Sequence, residues 1–281
     1  MKKLKCAVFG AGRMGLETAS EVKKNLPSCW LPLSHAESIS LHPKLVLKAI
    51  CDPMESALNR AKEIYPDIYT YKDPTKLIKE INPDIVCIAT RTYQRANLIE
   101  ICVQNGIQYL HVEKPLCNSF IQLENIKNLF LKNNIHCTFG TLRRYLKPYQ
   151  IAKEMINNGD IGELIEVNIS MGKSQLCWNH IHSIDLISWF LSDEDINDVR
   201  FFADADTFEY EKSNLDGDPI IKMGMFSTAN NKQGSITFTN GYDLKISGTD
   251  GILEVLNDGQ SIQIRTKAVS YTHLRAHETI A

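Results

Sequence analysis

Three stretches of this 281-residue sequence combine residue types and spacings that could do chemistry. The first is Gly-Ala-Gly-Arg-Met-Gly at 10–15, which sets Gly10, Gly12 and Gly15 in a GxGxxG pattern. The first glycine permits a tight turn, the second lets backbone approach a pyrophosphate, and the third lets a helix pack closely on a sheet. Ala11, Arg13 and Met14 fill the loop, and a helix starting there would turn free N–H groups and a positive dipole end toward phosphate. The second stretch is Cys177–Trp178–Asn179–His180–Ile181–His182, with three soft or borderline ligand types close together. No fourth ligand stands at a recognisable spacing. The third is His273 and His277, four apart beside Glu278, which on a helix would put two imidazoles on one face.

The elements around the glycines agree with a dinucleotide site. Short apolar runs at Leu4–Gly10, Leu45–Asp52, Asp84–Thr90, Ile107–Glu113 and Ile135–Gly140 alternate with segments of helical periodicity. Continuous apolar strands between amphipathic helices imply a parallel sheet covered on both faces. A helix is expected over 13–26, followed by an inserted loop at 26–44 that breaks the rhythm. Asp52 ends the second strand. An acid there would accept hydrogen bonds from an adenine ribose and repel a 2′-phosphate, which favours NAD over NADP. The inserted loop makes its spacing from Gly15 longer than the usual ~20 residues; the alternative role is to cap the next helix. From about residue 141 the pattern changes to two helical segments, near 146–157 and 180–191, and then several strands separated by Asp-Gly and Asn-Gly turns. The expected fold class is therefore α/β: a Rossmann domain at 1–140 and an α+β domain at 141–268 with a large open, mostly antiparallel sheet.

Composition narrows the function classes. A net charge of −2 gives no reason to expect nucleic acid, and 43% hydrophobic residues support a large core. No apolar run is long enough for a membrane span, and "CAVF" after the first lysines is too short for a secretion signal. A cytoplasmic protein is expected. The eight cysteines, none in a CxxC pair, read as reduced thiols, mostly buried.

The string Tyr-Leu-His-Val-Glu-Lys-Pro-Leu at 109–116, taken with the glycine loop, Ile88–Thr90, Leu142–Tyr149, Asn158–Leu164 and Gly248–Val255, resembles the glucose–fructose oxidoreductase/inositol dehydrogenase family, Gfo/Idh/MocA. The resemblance runs from residue 4 to about 256. It implies NAD(P)-dependent hydride transfer between nicotinamide and a carbinol or ketone of a sugar, polyol or nucleotide sugar, in a homo-dimer or homo-tetramer. It also implies catalytic roles for Lys114, beside the reacting hydroxyl, and His182, as its proton partner. Cofactor contacts are expected from Gly10, Ala11, Gly12, Arg13, Met14, Gly15, Asp52, Thr90, Glu113 and Lys114. An ammonium at 114 could stabilise a developing alkoxide. The family's second motif, Asp-x3-His-x2-Asp, falls on Trp178, His182 and Asp185, so its first acid is missing here. Asp185 would then orient His182. Arg91 and Arg95, and one of Arg143 and Arg144, stand where an anionic substrate could meet them. The same resemblance admits NAD-assisted glycoside cleavage; Trp178 also keeps open a dinucleotide-binding regulator without turnover. No resident metal is expected.

The third stretch has another explanation. Residues 269–279 back-translate onto the end of a transposon-derived sequencing adapter. Residues 269–281 are therefore read as a non-native tail, outside fold reasoning, with the native C-terminus missing. On this reading the sheet of the second domain is incomplete and leaves an open edge.

Overall fold

The structure, a computed structural model, describes residues 2–24, 30–192, 194–204, 208–211, 214–239, 241–267 and 278–280. His273 and His277 lie outside them, as does most of the predicted tail. The chain divides into two compact units, Met1–Gly140 with Tyr210–Leu215, and Thr141–Glu209 with Asp216–Ala281.

The first unit is a six-stranded parallel sheet: β1 (Leu4–Phe9), β2 (Leu45–Cys51), β3 (Tyr69–Tyr71), β4 (Ile85–Ile88), β5 (Tyr109–Val112) and β6 (His136–Phe139), in the order β3-β2-β1-β4-β5-β6. This is the Rossmann order, with the direction of winding reversing between β1 and β4. Two apolar layers enclose the sheet. One contains Phe9, Val86, Ile88, Ile99 and Val112, and the other Cys6, Val8, Leu47, Ile50 and Leu58. The helices obey their local signals. Asp73 caps α4 (Pro74–Ile81), accepting from the N–H groups of Thr75 and Lys76, and Asn82 ends it in a left-handed turn. α5 (Thr92–Gln104) and α6 (Phe120–Asn133) cover β4 to β6.

The first crossover departs from expectation. Instead of one helix over 13–26, residues 12–16 make a single turn closed by Leu16 N–H on the Gly12 carbonyl, and among the described residues of that span Ser20–Lys24 (α1) are helical. The expected loop instead supplies α2 (His35–Leu41), which buries Ala36 and Ile39 beside Leu16, Cys6 and Val8. Ser34 caps it by accepting from Glu37 N–H, and the Glu37 carboxylate accepts from the Ser34 hydroxyl at 2.7 Å. The Ser-x-x-Glu pair at 34–37 is a capping signal that the sequence reading passed over.

The second unit carries a mixed, mostly antiparallel sheet. Its strands are β7 (Leu164–Ser170), β8 (Ser174–Gln175), β9 (Ile196–Ala203), β12 (Ile220–Thr228), β13 (Gln233–Thr237), β14 (Asp243–Gly248), β15 (Gly251–Leu256), β16 (Ser261–Thr266) and β17 (Glu278–Ile280); β10 (Phe208–Glu211) and β11 (Asn214–Gly217) form a separate pair. In the larger sheet β7 and β13 pair in parallel, and the other described pairs are antiparallel. α7 (Lys147–Asn157) and α8 (Ile181–Phe190) pack on one face. Phe202, Met223, Met225 and Phe238 are exposed. Among the described residues no helix is long and apolar enough to cross a membrane. The described cysteines are free thiols, four of them buried.

Two arginines serve this unit's packing. Arg143, in the short 3-10 turn Leu142–Tyr145, donates Nε and Nη2 to the two carboxylate oxygens of Asp258 at 2.7 and 2.8 Å, and Tyr149 donates its hydroxyl to the same group at 2.8 Å. The Arg143 side chain is 4% exposed, so the geometry ties it to Asp258 and not to an incoming anion. Arg144 donates to both carboxylate oxygens of Asp185 at 2.9 Å. Removing one partner of a buried pair leaves the other charge uncompensated. Asp258→Ala is therefore expected to destabilise the second unit by about 3–5 kcal/mol in urea unfolding; an unchanged midpoint would contradict this reading.

Candidate active site at the carboxyl edge of the parallel sheet

In a parallel sheet the loops after every strand emerge at one edge. Gly10 follows β1, Asp52 follows β2, Ala89 and Thr90 follow β4, and Glu113 and Lys114 follow β5, so the predicted cofactor residues of the first unit gather there. The loop is held by backbone. Gly10 N–H donates to the Cys51 carbonyl at 2.8 Å, and Ala89 N–H to the Phe9 carbonyl at 2.8 Å. Gly10 has φ +96°, and a Cβ there would sit 2.8 Å from the Ala89 carbonyl oxygen. A Cβ on Gly15 would lie 1.8 Å from the Gly10 carbonyl oxygen, a separation no side chain can tolerate. Gly12 differs: its Cβ would meet no described atom within 4 Å. The protein's own packing does not require glycine at 12, whereas a pyrophosphate lying over the loop would.

Asp52 does not cap α3 (Glu55–Ile64), whose N-cap is Met54 with no side-chain hydrogen bond; it joins the glycine loop to the turn after β2. Its Oδ2 accepts from Ala11 N–H in the glycine loop at 2.8 Å, and its Oδ1 from Met54 N–H, just before α3, at 2.9 Å. The phosphate-binding helix start predicted at 13 is absent; the single turn at 12–16 stands in its place, and α2 docks behind it. His35 N–H donates to the Met14 carbonyl at 2.8 Å and Ala36 N–H to the Gly15 carbonyl at 3.0 Å.

Arg95, read from sequence as a possible anion contact, is 6% exposed. It donates to the Thr90 carbonyl at 2.6 Å and to the Pro115 carbonyl, joining the loop after β4 to the loop after β5. Burial lowers its pKa to about 10, which leaves it charged at neutral pH. Its fork is engaged inside the unit because two backbone carbonyls lie within its reach.

Glu113 is buried, and its carboxylate accepts from its neighbour Lys114 N–H at 3.3 Å and lies 3.1 Å from His35 Nε2. Burial opposes its ionisation, but the His35 hydrogen bond and the charges of His35, His111 and Lys114 outweigh this and hold its pKa below the ordinary value. Burial, then the neighbouring His35 charge, pushes His111 down to about 4. Among the described residues, His35, His111 and Glu113 are the one set of His, Cys, Asp or Glu side chains that gathers ligand atoms, all within 4.8 Å of one another. Sequence reasoning passed over this set because His35 stands 78 positions from Glu113, outside the motif that holds His111 and Glu113.

In the second unit, His182 is the second residue of α8 and Trp178, about half exposed, lies in the preceding π-helical turn Leu176–His180. His180 is buried, with Nδ1 3.3 Å from the Ser183 hydroxyl. Cys177, His180 and His182 do not form a ligand cluster. Asp185, expected to orient His182, directs its carboxylate to Arg144.

Comparison with known proteins gives these features a context. Residues 4–141 match the GFO_IDH_MocA family, described as an oxidoreductase family with an NAD-binding Rossmann fold. The chain is 29% identical over 129 residues to myo-inositol 2-dehydrogenase of Thermotoga maritima, covering 46% of this chain and 38% of that enzyme. It is 28% identical over 166 residues to scyllo-inositol 2-dehydrogenase (NAD(+)) of Bacillus subtilis, covering 58% of this chain and 43% of that enzyme. The matched part thus spans less than half the length of either curated relative. A dehydrogenase structure from Chromobacterium violaceum superposes with a TM-score of 0.77 at 16% identity, covering 100% of this chain and 80% of that one, which shows a shared fold.

The shifts at His111 and Glu113 have one direction in stability. The unfolded histidine binds a proton near its ordinary value of 6.5, and the folded one only near 4, so acid favours unfolding in that window. Glu113, ionised and hydrogen-bonded in the fold, adds stability that is lost as pH falls through the carboxylate range. Urea midpoints should therefore fall between about pH 6.5 and 4, and His111→Asn should flatten the upper part of that fall. Equal slopes in the two proteins would contradict it.

Proposed function

We propose, on the match of residues 4–141 to the GFO_IDH_MocA family of oxidoreductases with an NAD-binding Rossmann fold, that the chain oxidises a carbinol of a polyol or sugar derivative, or reduces the corresponding ketone, with NAD as cofactor. The supporting observation is the convergence of the glycine loop, Asp52, Glu113 and Lys114 on one edge of the parallel sheet, beside the point where the strand order reverses. Open α/β sheets bind ligands there. The donor set suits a dinucleotide. Gly10, Gly12 and Gly15 keep side chains off the loop, Asp52 stands at the end of β2 for the adenine ribose, Thr90 follows β4, and Glu113 precedes Lys114 after β5. Bound NAD supplies a hydride acceptor.

Lys114 carries the electrostatic role in this proposal. As hydride leaves the carbinol carbon, the hydroxyl proton must leave too, and the ammonium stabilises the oxygen that is losing it. The proton passes to a general base, the role that the family resemblance gives to His182. Arg95 holds the loops after β4 and β5 together, and so acts on Lys114 through the backbone. The curated relatives oxidise inositols by name, so myo- and scyllo-inositol are the first substrates of this reading. The exposed Phe202, Met223 and Met225 on the second unit's sheet support pairing with a second copy of the chain.

Purified chain with NAD and each inositol should produce NADH. Lys114→Ala should lower the rate by about 100-fold or more while leaving NADH binding nearly intact. Equal turnover in the variant would remove Lys114 from the chemistry. NADH should also bind more tightly than NADPH, and Asp52→Ala should narrow that gap; a preference for NADPH would take Asp52 off the ribose.

A further inference from the structure

The end of β5 holds a cluster of which the dehydrogenase reading uses only Glu113. His111 comes from β5, Glu113 follows it, and His35 is brought in by the first residue of α2. One ligand-type atom of each lies within 4.8 Å of the others. His35 Nε2 and Glu113 Oε1 are 3.1 Å apart, and the two imidazoles meet edge to face with centroids 4.8 Å apart. The side chains of His35 and Glu113 are 11% and 8% exposed, so this is an interior set.

A hydrogen bond between His35 and Glu113 explains one contact but not the second imidazole turned against it. The arrangement has the marks of a ligand set. Two histidines and one carboxylate make up the three-residue donor set of open zinc sites. Tetrahedral zinc with bonds of about 2.0–2.2 Å separates its ligand atoms by roughly 3.3 Å, so the His35–Glu113 edge already has the right length and His111 needs to close by about 1.5 Å at most. His111 also has an outer partner. Its Nδ1 lies 2.8 Å from the Thr138 hydroxyl on β6, which leaves Nε2 as the ring atom to ligate. The other two donors are anchored through backbone: His35 N–H to Met14, and Glu113 N–H to the Ile88 carbonyl at 2.9 Å.

We propose that His35, His111 and Glu113 bind one divalent cation of the zinc class at the carboxyl end of β5. The site ties α2, and with it the glycine loop, to the strand that carries Lys114. It goes beyond the dehydrogenase reading and does not depend on it.

The test reads metal, not turnover. The chain is stripped with chelator and titrated with zinc sulfate in a His273→Ala/His277→Ala background, which removes the tail pair as a competing ligand set. One equivalent should bind, and the melting temperature should rise with zinc. His35→Gln and His111→Phe should each weaken binding by more than about 100-fold, and Thr138→Val by about 10–100-fold. Cobalt in place of zinc should give a tetrahedral visible spectrum without thiolate charge transfer. The variants' unliganded melting curves report folding separately. No stoichiometric binding, binding that survives loss of both histidines, or a thiolate band would each overturn the proposal.

Discussion

A side chain at residue 15 would place its first carbon 1.8 Å from the carbonyl oxygen of Gly10, and much of the first unit's functional edge follows from that contact. The chain leaving β1 folds back on itself at once, a turn that glycine at 15 permits. The turn exposes the carbonyls of Met14 and Gly15, which accept the first N–H groups of α2. α2 in turn carries His35 to Glu113 at the end of β5. A local backbone constraint near residue 10 thus reaches the loop holding Lys114 through three short links.

The sheet that bears these loops was legible in the sequence. Short continuous apolar runs such as Cys6–Phe9 and Val86–Ile88, alternating with amphipathic helices, imply strands buried on both faces of a parallel sheet. The first crossover was not legible in the same way. Its apolar residues fit a helix over 13–26, but the close approach of Gly15 to Gly10 makes a single turn instead. The helix that covers this part of the sheet starts later, at a Ser34–Glu37 cap within a segment that periodicity assigned to a loop.

Charged residues were legible by type but not by partner. Arg95 and Arg143 carry forks suited to an anion, and both are engaged inside their own units. Arg95 binds the carbonyls of Thr90 and Pro115, and Arg143 binds Asp258, 115 positions away in sequence. The His35–Glu113 pair spans 78 positions. Contacts at such separations are set by topology, and no local pattern announces them. The glycine loop and the Glu113–Lys114 pair could be found because their chemistry depends on neighbours in sequence.

The central claim is that the glycine loop is a dinucleotide cradle, and Gly12 tests it most directly. A Cβ at 12 meets no described protein atom within 4 Å, so Gly12→Ala should fold as the parent does. It would, however, intrude on a pyrophosphate lying over the loop. Titration of both proteins with NADH, followed by fluorescence, should give saturable binding to the parent and at least about tenfold weaker binding to Gly12→Ala at an unchanged melting temperature. No saturable binding to the parent, or equal affinity in the two, would contradict the account.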